Sequence, residues 1–198
     1  MKQYVFPFGI YILTVPLFDF LFRIDSQLVY AIKSVIVFAL IVYFWKSYKI
    51  KFKLDVISII AGVVIFFIWV GMENLYPKLY DIEFRPATDT MLLFKLFGFI
   101  LAAPLIEEIF TRGFLIRFIA NNNFEKVPMG KFTLPSFIIT VLFFGFSHNR
   151  WLVGIIAGIL LNFLYYRNKS VFSAIIAHLT ANLLLAIYIV YNGLWHLW

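Results

Sequence analysis

Residues 91–119 read MLLFKLFGFILAAPLIEEIFTRGFLIRFI, and this stretch decides the fold class. About 20 apolar residues in an α-helix, rising 1.5 Å each, cross a hydrocarbon core of ~30 Å. The stretch exceeds that length, yet it contains two adjacent carboxylates, Glu107 and Glu108, followed by Arg112. Pro104 predicts either a kinked helix or a span followed by an interfacial piece. The sequence therefore predicts a membrane helix that carries ionisable groups at membrane depth.

Six other apolar runs surround this stretch, and each is long enough to cross most of a bilayer. They are residues 4–21, 28–45, 56–72, 134–149, 151–166 and 171–191. Of the 198 residues, 63% are hydrophobic and 14% are charged, a composition that excludes a soluble globular domain. No cleavage site of small residues follows the first run, so we expect a retained helix there. We predict an all-α fold, a polytopic membrane bundle of about seven transmembrane helices in one domain, residues 1–198.

The formal net charge of +7 comes from basic residues between the apolar runs, not from a stripe on one face, which excludes a nucleic-acid partner. Short loops rich in lysine and arginine stay in the cytoplasm. If the spans alternate, such loops share one side, and an acidic-leaning loop at residues 73–89 lies on the other. The basic residues concerned are Lys2, Lys46, Lys49, Lys51, Lys53, Arg117, Lys126, Lys131, Arg167 and Lys169. We predict an N-in, C-out orientation, in the cytoplasmic (inner) membrane if the protein is bacterial.

The two glutamates of the fourth run differ in their neighbours along a helix. Glu108 and Arg112 are four residues apart on one face, a spacing that favours an ion pair and keeps the glutamate ionised. Glu107 points about 100° away and has no such local partner, so it is the better general base. The alternative is that both glutamates belong to a structural charge network. Cysteine is absent, which excludes disulfides and cysteine-ligated zinc.

Two further pairs of residues in apolar runs have the same spacing of four. Phe144 precedes His148 by one turn, so its ring can pack on the imidazole and restrict its rotamer. His178 precedes Asn182, and an amide beside an imidazole can orient it or help donate hydrogen bonds to an oxyanion. The alternatives are an interfacial or core histidine in the first case and an interhelical polar contact in the second.

The remaining polar and small residues of the spans have simpler interpretations. We expect Lys33 and Lys95 to snorkel, with their stems along apolar surface and their ammonium groups in water. Gly154 and Gly158 form a GxxxG pattern, which is typical of close packing between helices. These residues therefore predict packing and anchoring and not chemistry.

The order EExxxR, FxxxH and HxxxN, each in its own apolar run, resembles the CPBP family of intramembrane proteases. That family includes the Ras-converting type of CAAX prenyl endopeptidase and bacterial relatives linked to bacteriocin processing or immunity. The resemblance covers residues 87–191, the family core, and no motif position departs from the pattern. Residues 1–86 are similar only in being membrane spans. The loop at residues 69–77 is similar to a bacterial CAAX-protease-related subgroup associated with exosortase sorting systems.

The resemblance implies hydrolysis of a peptide bond in a membrane-associated protein or peptide, within or near the membrane. Glu107 and His148 would activate water, Glu108 would belong to the catalytic set, and His178 with Asn182 would stabilise the oxyanion. Members of the family have also been described as metalloproteases, and a divalent metal such as zinc would be held by the first carboxylate and the two histidines. Structural support would come from Arg112 and Phe144.

Two other functions stay open on the residues alone. Intramembrane Glu, His and Arg also build proton relays, so an ion- or proton-coupled transporter is an alternative, although the sequence has no inverted repeat. A non-catalytic immunity or scaffold protein on the same fold is another. The protease hypothesis has one spatial requirement: Glu107, His148 and His178 must meet around one pocket. Alternating spans place His148 near the outer end of its helix, so convergence needs tilt, a short fifth helix or a recessed loop.

Overall fold

The computed structural model describes residues 1–22, 26–80 and 85–198, and within these ranges the chain forms helices and no strand. The predicted acidic-leaning loop at residues 73–89 includes residues 81–84, which lie outside the described residues. The helical bundle confirms the predicted fold class.

In the described part of the chain, seven helices follow the seven predicted runs. By length and composition, four of the described helices are long and apolar enough to cross a membrane. They are the second with its 3-10 extension (Ser26–Tyr48), the fourth, the sixth and the seventh. The third and the fifth are shorter apolar helices. The bounds of the seven helices are α1 Lys2–Phe22, α2 Ser26–Phe44, α3 Val56–Gly71, α4 Asp89–Ala120, α5 Leu134–Phe146, α6 Trp151–Asn168 and α7 Val171–Asn192.

The helices that begin in the lysine-rich loops start at polar caps. Asp55 accepts a hydrogen bond from the Ser58 N–H at 2.8 Å before α3, and the Ser170 hydroxyl accepts one from the Phe172 N–H at 3.2 Å before α7. Such side chains satisfy N–H groups that have no partner inside the helix. At the other end of α7, Gly193 has a φ of 65°, the left-handed conformation that glycine adopts without strain.

The loops gather at two ends of the bundle. At one end, the Tyr48 hydroxyl donates to the Gln3 carbonyl at 2.9 Å, and the Ser170 hydroxyl donates to the Lys51 carbonyl at 2.8 Å. At the other end, Trp151 Nε1 donates to the Pro77 carbonyl at 3.0 Å. The helices therefore alternate in direction, and the basic loops lie together at the first end, as predicted.

Glycines allow the closest helix crossings. A Cβ on Gly62 would collide with the Ala177 carbonyl, so α3 and α7 pack backbone to backbone. A Cβ on Gly154 would lie 3.0 Å from the Gly145 Cα, and one on Gly158 would lie 3.5 Å from the Phe144 Cβ. The predicted close packing at the GxxxG pattern is confirmed, and it fixes α5 against α6.

Helix α4 is continuous but contains two π-helical segments, Gly98–Ala102 and Ile109–Leu115. Within the first, the Ala103 N–H donates to the Gly98 carbonyl, a bond of the i to i−5 type. The next donor in that pattern would be Pro104, which has no N–H. Pro104 therefore follows a π segment within a continuous helix, and π segments are often found at functional sites.

Candidate active site

The three predicted motifs line one cavity of about 390 Å³ inside the bundle. Glu107 comes from α4, His148 from the turn after α5, and His178 from α7. Helix α5 has only 13 residues, so the turn that follows it lies at the depth of the glutamates. Because the fifth helix is short, His148 lies at the same depth as the glutamates and not at the outer end of a full span. Glu107, His148 and His178 therefore meet around one pocket.

Glu108 is fully buried and makes the ion pair that its spacing predicted. Both of its carboxylate oxygens lie near Arg112 Nη1, at 3.1 Å and 3.0 Å, and both side chains have 0% exposure. Arg112 also donates from Nε to Asn162 Oδ1 at 2.9 Å and from Nη2 to the Gly158 carbonyl at 3.2 Å. Asn162 in turn donates to the Thr140 hydroxyl at 3.0 Å. The guanidinium therefore ties α4 to α6, and α6 to α5.

His178 belongs to the same network, because its Nδ1 lies 2.9 Å from Glu108 Oε1. A carboxylate ionised by Arg112 can only accept, so Nδ1 carries the proton of this bond. The side chain of His178 is 9% exposed and lines the cavity, where Nε2 is the remaining ring nitrogen. Glu108 thus fixes both the orientation and the tautomer of His178. Orientation of this ring was one of the two roles predicted for Asn182.

Glu107 faces the cavity and has a different set of partners. The Tyr11 hydroxyl, from α1, donates to its Oε1 at 2.8 Å. Its Oε2 is buried but has no hydrogen-bond partner among the described residues. Tyr11 was not among the predicted site residues, since nothing in the pattern of the first run separates this tyrosine from the ten others in the chain.

His148 presents one ring nitrogen to the unpartnered oxygen of Glu107. Its Nδ1 lies 2.6 Å from the Phe144 carbonyl, which can only accept, so Nδ1 carries a proton. Nε2 lies 3.7 Å from Glu107 Oε2, too far for a direct hydrogen bond. The side chains are 22% and 13% exposed. The two groups therefore face each other across a gap open to the cavity.

Phe144 lies between the two halves of the site. Its ring centroid is 4.7 Å from the His148 ring, as the predicted packing requires, and 5.6 Å from the His178 ring. The Arg112 guanidinium carbon lies 4.6 Å from the same centroid. Phe144 is only 2% exposed, and its ring packs against both histidines and the Arg112 guanidinium.

Asn182 lines the cavity, but its amide is engaged with the backbone of α4. Its Nδ2 donates to the Phe99 carbonyl at 2.8 Å. Phe99 is five residues before Pro104, so this amide replaces the donor that the proline cannot supply in a π segment. The structure therefore contains the interhelical contact given above as the alternative for Asn182, and one N–H of the amide is left for other partners.

The residues predicted to hold a metal do not form a ligand set in this arrangement. Within residues 1–22, 26–80 and 85–198, no three His, Asp or Glu side chains are grouped closely enough to bind one ion. Glu107 and His148 face each other, but His178 is held by Glu108 through Nδ1. A zinc site at these three residues would need a rearrangement of the side chains.

Lys33 and Lys95 do not snorkel into water, and this prediction was wrong. Both line the cavity. Lys33 is 9% exposed, and its Nζ donates to the Tyr11 carbonyl at 3.1 Å. Ionisable side chains in membrane helices usually face the bundle interior or a cavity, and here both lysines extend into the cavity instead of along the lipid surface.

A known protein family matches the part of the chain that contains the three motifs. Residues 89–184 match the family model described as Type II CAAX prenyl endopeptidase Rce1-like. The matched segment contains all three motifs and extends from α4 into α7. No curated protein and no solved structure matches the chain.

Proposed function

The chain belongs, through residues 89–184, to the Rce1-like family of type II CAAX prenyl endopeptidases, and from this we propose that it hydrolyses a peptide bond of a membrane-associated protein or peptide. One observation carries the proposal. Glu107 Oε2, buried and without a hydrogen bond among the described residues, lies 3.7 Å from His148 Nε2 inside a cavity of the bundle. An unsatisfied acceptor in such a place costs free energy and is kept where it has a function.

In the proposed reaction, Glu107 and His148 bind one water molecule between them. Glu107 accepts a proton from the water as its oxygen attacks the carbonyl carbon of the scissile bond. The Tyr11 hydroxyl orients the carboxylate through the other oxygen. The proton then passes to the amide nitrogen as the C–N bond breaks, which leaves a carboxylic acid and an amine. The acid then gives its proton to the amine, so the products are a carboxylate and an ammonium group.

In this proposal, residues of α7 stabilise the negative charge of the tetrahedral intermediate. Nε2 of His178, with a proton, donates to the oxyanion, and the second N–H of Asn182 assists it. Glu108 supports this role because its bond to Nδ1 holds the ring in place and leaves Nε2 as the ring nitrogen available to the cavity. Donors held in place in a site of low dielectric stabilise charge that appears only in the transition state.

We place the N-terminus and the basic loops in the cytoplasm, because lysine-rich short loops remain there. The cavity reaches Trp69, Tyr80 and Ser147, which lie at the opposite end of the bundle from those loops. A substrate would therefore enter from the lipid or from the outer face. Labelling of single cysteines placed in the cysteine-free chain, at Lys46 and at Leu79, tests the orientation: only Leu79→Cys should react from outside.

The experiment that tests the activity uses the full chain reconstituted in liposomes with a library of acyl-anchored, fluorescence-quenched peptides. We expect cleavage by the wild type and a loss of about 10²–10⁴-fold in Glu107→Gln, the range for removal of a general base. Glu125→Gln is the matched control, since Glu125 is an exposed loop residue. Wild-type turnover in Glu107→Gln contradicts the assignment. Bound metal and chelator sensitivity, measured on the same preparation, separate a metal-dependent from a glutamate-dependent reaction.

A further inference from the structure

Another cavity, of about 260 Å³, lies among the loops at the basic end of the bundle, and it has no lining residue in common with the catalytic cavity. Lys49 and Lys51, from the stretch between α2 and α3, line it together with Lys169, which lies between α6 and α7. Another part of its wall comes from the loop between α4 and α5, through Pro128 and Met129. Three loops therefore converge on one cavity that is lined by lysines.

Contacts between these loops fix the shape of the cavity. The Ser170 hydroxyl donates to the Lys51 carbonyl at 2.8 Å and also caps α7. A Cβ on Gly130 would lie 2.8–3.1 Å from Lys169 Cα, Cβ and Cγ, so the loop after α4 approaches Lys169 closely because this residue has no side chain. The lysines are therefore brought together by packed backbone and not by their flexible side chains alone.

Lys49 and Lys169 have a backbone conformation that lysine rarely adopts. Their φ angles are 51° and 50°, and within the described residues they are the only ones other than glycine with a positive φ. Each follows the last residue of a helix, a position at which glycine avoids the steric cost of this conformation. Residues with such a cost are often found at sites that bind ligands.

The loops of this end carry a large excess of positive charge. Their residues all lie within the described ranges and include ten lysines and arginines but only two acidic residues, Asp55 and Glu125. Helix α7 begins and helix α6 ends at the cavity, so their dipoles offset each other and the lysines set the sign of the field. The segments counted are residues 1–3, 45–55, 117–133 and 167–170. The cavity is therefore suited to an anion such as a phosphate group.

Large apolar side chains are exposed next to these lysines. Phe52 and Leu54 are each 66% exposed, and Phe132 is 52% exposed. The Phe52 ring also packs on Phe172 of α7, with their centroids 4.9 Å apart. Aromatic side chains beside lysines are typical of the level of the lipid headgroups in a bilayer. These surroundings favour the phosphate of a lipid over a soluble phosphate.

We propose that Lys49, Lys51 and Lys169 bind the phosphate of an anionic phospholipid, whose acyl chains lie on the apolar side chains beside the cavity. Basic pockets between membrane helices on the cytoplasmic side, where we place this end, suit lipid headgroups. A bound lipid would connect three loops and hold the start of α7, the helix that carries His178. The site lies outside the catalytic cavity, so it does not depend on the proposed function.

The test uses the full-length wild type and its variants in a neutral detergent with about 0.5 M salt, where the Debye length is about 4 Å and distant charges are screened. The probes are dioctanoyl-phosphatidylglycerol, its zwitterionic counterpart dioctanoyl-phosphatidylcholine, and glycerol 3-phosphate as a soluble phosphate. The variants are Lys51→Met and Lys169→Met. Lys53→Met is the matched control, since Lys53 is an exposed lysine of the same loop that does not line the cavity.

We expect the wild type to bind phosphatidylglycerol about 10-fold or more tightly than phosphatidylcholine. Lys51→Met and Lys169→Met should each weaken binding of phosphatidylglycerol by about 5-fold or more, and Lys53→Met by less than about 2-fold. Equal losses in the three variants overturn the site and assign the attraction to the diffuse charge of the loops. Equal binding of the two lipids also overturns it. Displacement of phosphatidylglycerol by an equimolar amount of glycerol 3-phosphate overturns the lipid assignment and identifies a site for a soluble phosphate.

Lys169→Gly separates binding from folding. Glycine suits a φ of 50°, so without lipid this variant should melt at the temperature of the wild type or above it. It should still bind phosphatidylglycerol about 5-fold or more weakly, and the lipid should raise its melting temperature less than that of the wild type. Binding as tight as that of the wild type overturns the role of Lys169 in the site.

Discussion

Glu107 and Glu108 are neighbours in the chain, but their environments differ completely. The Glu108 side chain has 0% exposure and contacts Arg112 and His178. The Glu107 side chain is 13% exposed, accepts one hydrogen bond, from Tyr11, and has one oxygen without a partner among the described residues. The cause is the 100° rotation per residue of a helix, which points one carboxylate at α6 and α7 and the other at the cavity.

The difference shows how one helix can separate structure from chemistry. A fully buried carboxylate with both oxygens in contact with a guanidinium is held in place and is closed to a ligand. A carboxylate with an unused oxygen in a region of low dielectric can bind water and accept its proton. We therefore expect changes on the Glu107 side to affect turnover and changes on the Glu108 side to affect stability first.

The largest expected effect is on turnover, in His148→Ala. Removal of this imidazole takes away one of the two groups that hold the water, so we expect kcat to fall by about 10²–10⁴-fold. The melting temperature in detergent should stay close to that of the wild type, because the ring is partly exposed and bonds only its own turn. His196→Ala is the control, a histidine 47% exposed at the far end of the chain. Equal losses in both variants contradict the role of His148.

The next effect is on stability, in Arg112→Ala. This change leaves Glu108 buried without its counter-charge, at a cost of roughly 3–5 kcal/mol in chemical unfolding. The double variant Arg112→Met with Glu108→Gln removes both charges and should recover a large part of that loss. If Arg112→Ala has the same free energy of unfolding and the same turnover rate as the wild type, the ion pair is not structural. The contrast between the two glutamates would then be wrong.

Most of the fold was predictable because the bilayer restricts what the chain can do. Apolar runs of membrane length must be helical, since every backbone N–H and C=O has to be satisfied inside the segment. The seven runs, the close crossing at Gly154 and the clustering of the basic loops follow from that rule and from local spacing. The π segments of α4 do not, because a proline predicts a disturbance and not its form.

The site was predictable only where its partners are close in sequence. Arg112 lies one turn from Glu108, and Phe144 lies one turn from His148, so spacing alone pairs them. The contact of Tyr11 with Glu107 joins residues 96 positions apart, and single-sequence reasoning has no signal for it. The lysines of the cavity were misplaced for the same reason, since snorkelling is the default when the interior is unknown.

A smaller effect is expected from Tyr11→Phe, which tests whether the orientation of Glu107 matters. Loss of one hydrogen bond to a charged group is worth about 1.5–3 kcal/mol, so kcat should fall by about 10- to 100-fold. KM should change little, because the hydroxyl orients the base and does not hold the substrate. Tyr43→Phe, at a residue 79% exposed, is the control. A rise in KM with constant kcat would mean that Tyr11 contacts the substrate and not the base.

The smallest effect is expected at another carboxylate, Glu73, which lies just beyond the end of α3 and forms ion pairs with Arg150 and Lys78. Burial raises its pKa, but the hydrogen bonds and charges of Arg150 and Lys78 outweigh this and hold the pKa below the ordinary value of 4.5. A carboxyl whose pKa falls on folding adds stability above its unfolded pKa and loses it as the pH drops through the folded value. The melting temperature of the wild type should therefore exceed that of Glu73→Gln by a constant amount at pH 5.5 and above, and the gap should narrow below about pH 4.5. A difference in melting temperature that does not depend on pH would mean that Glu73 acts through packing and not through its charge. The ion pair of Glu73 at the end of the bundle would then say nothing about the ion pair of Glu108 inside it.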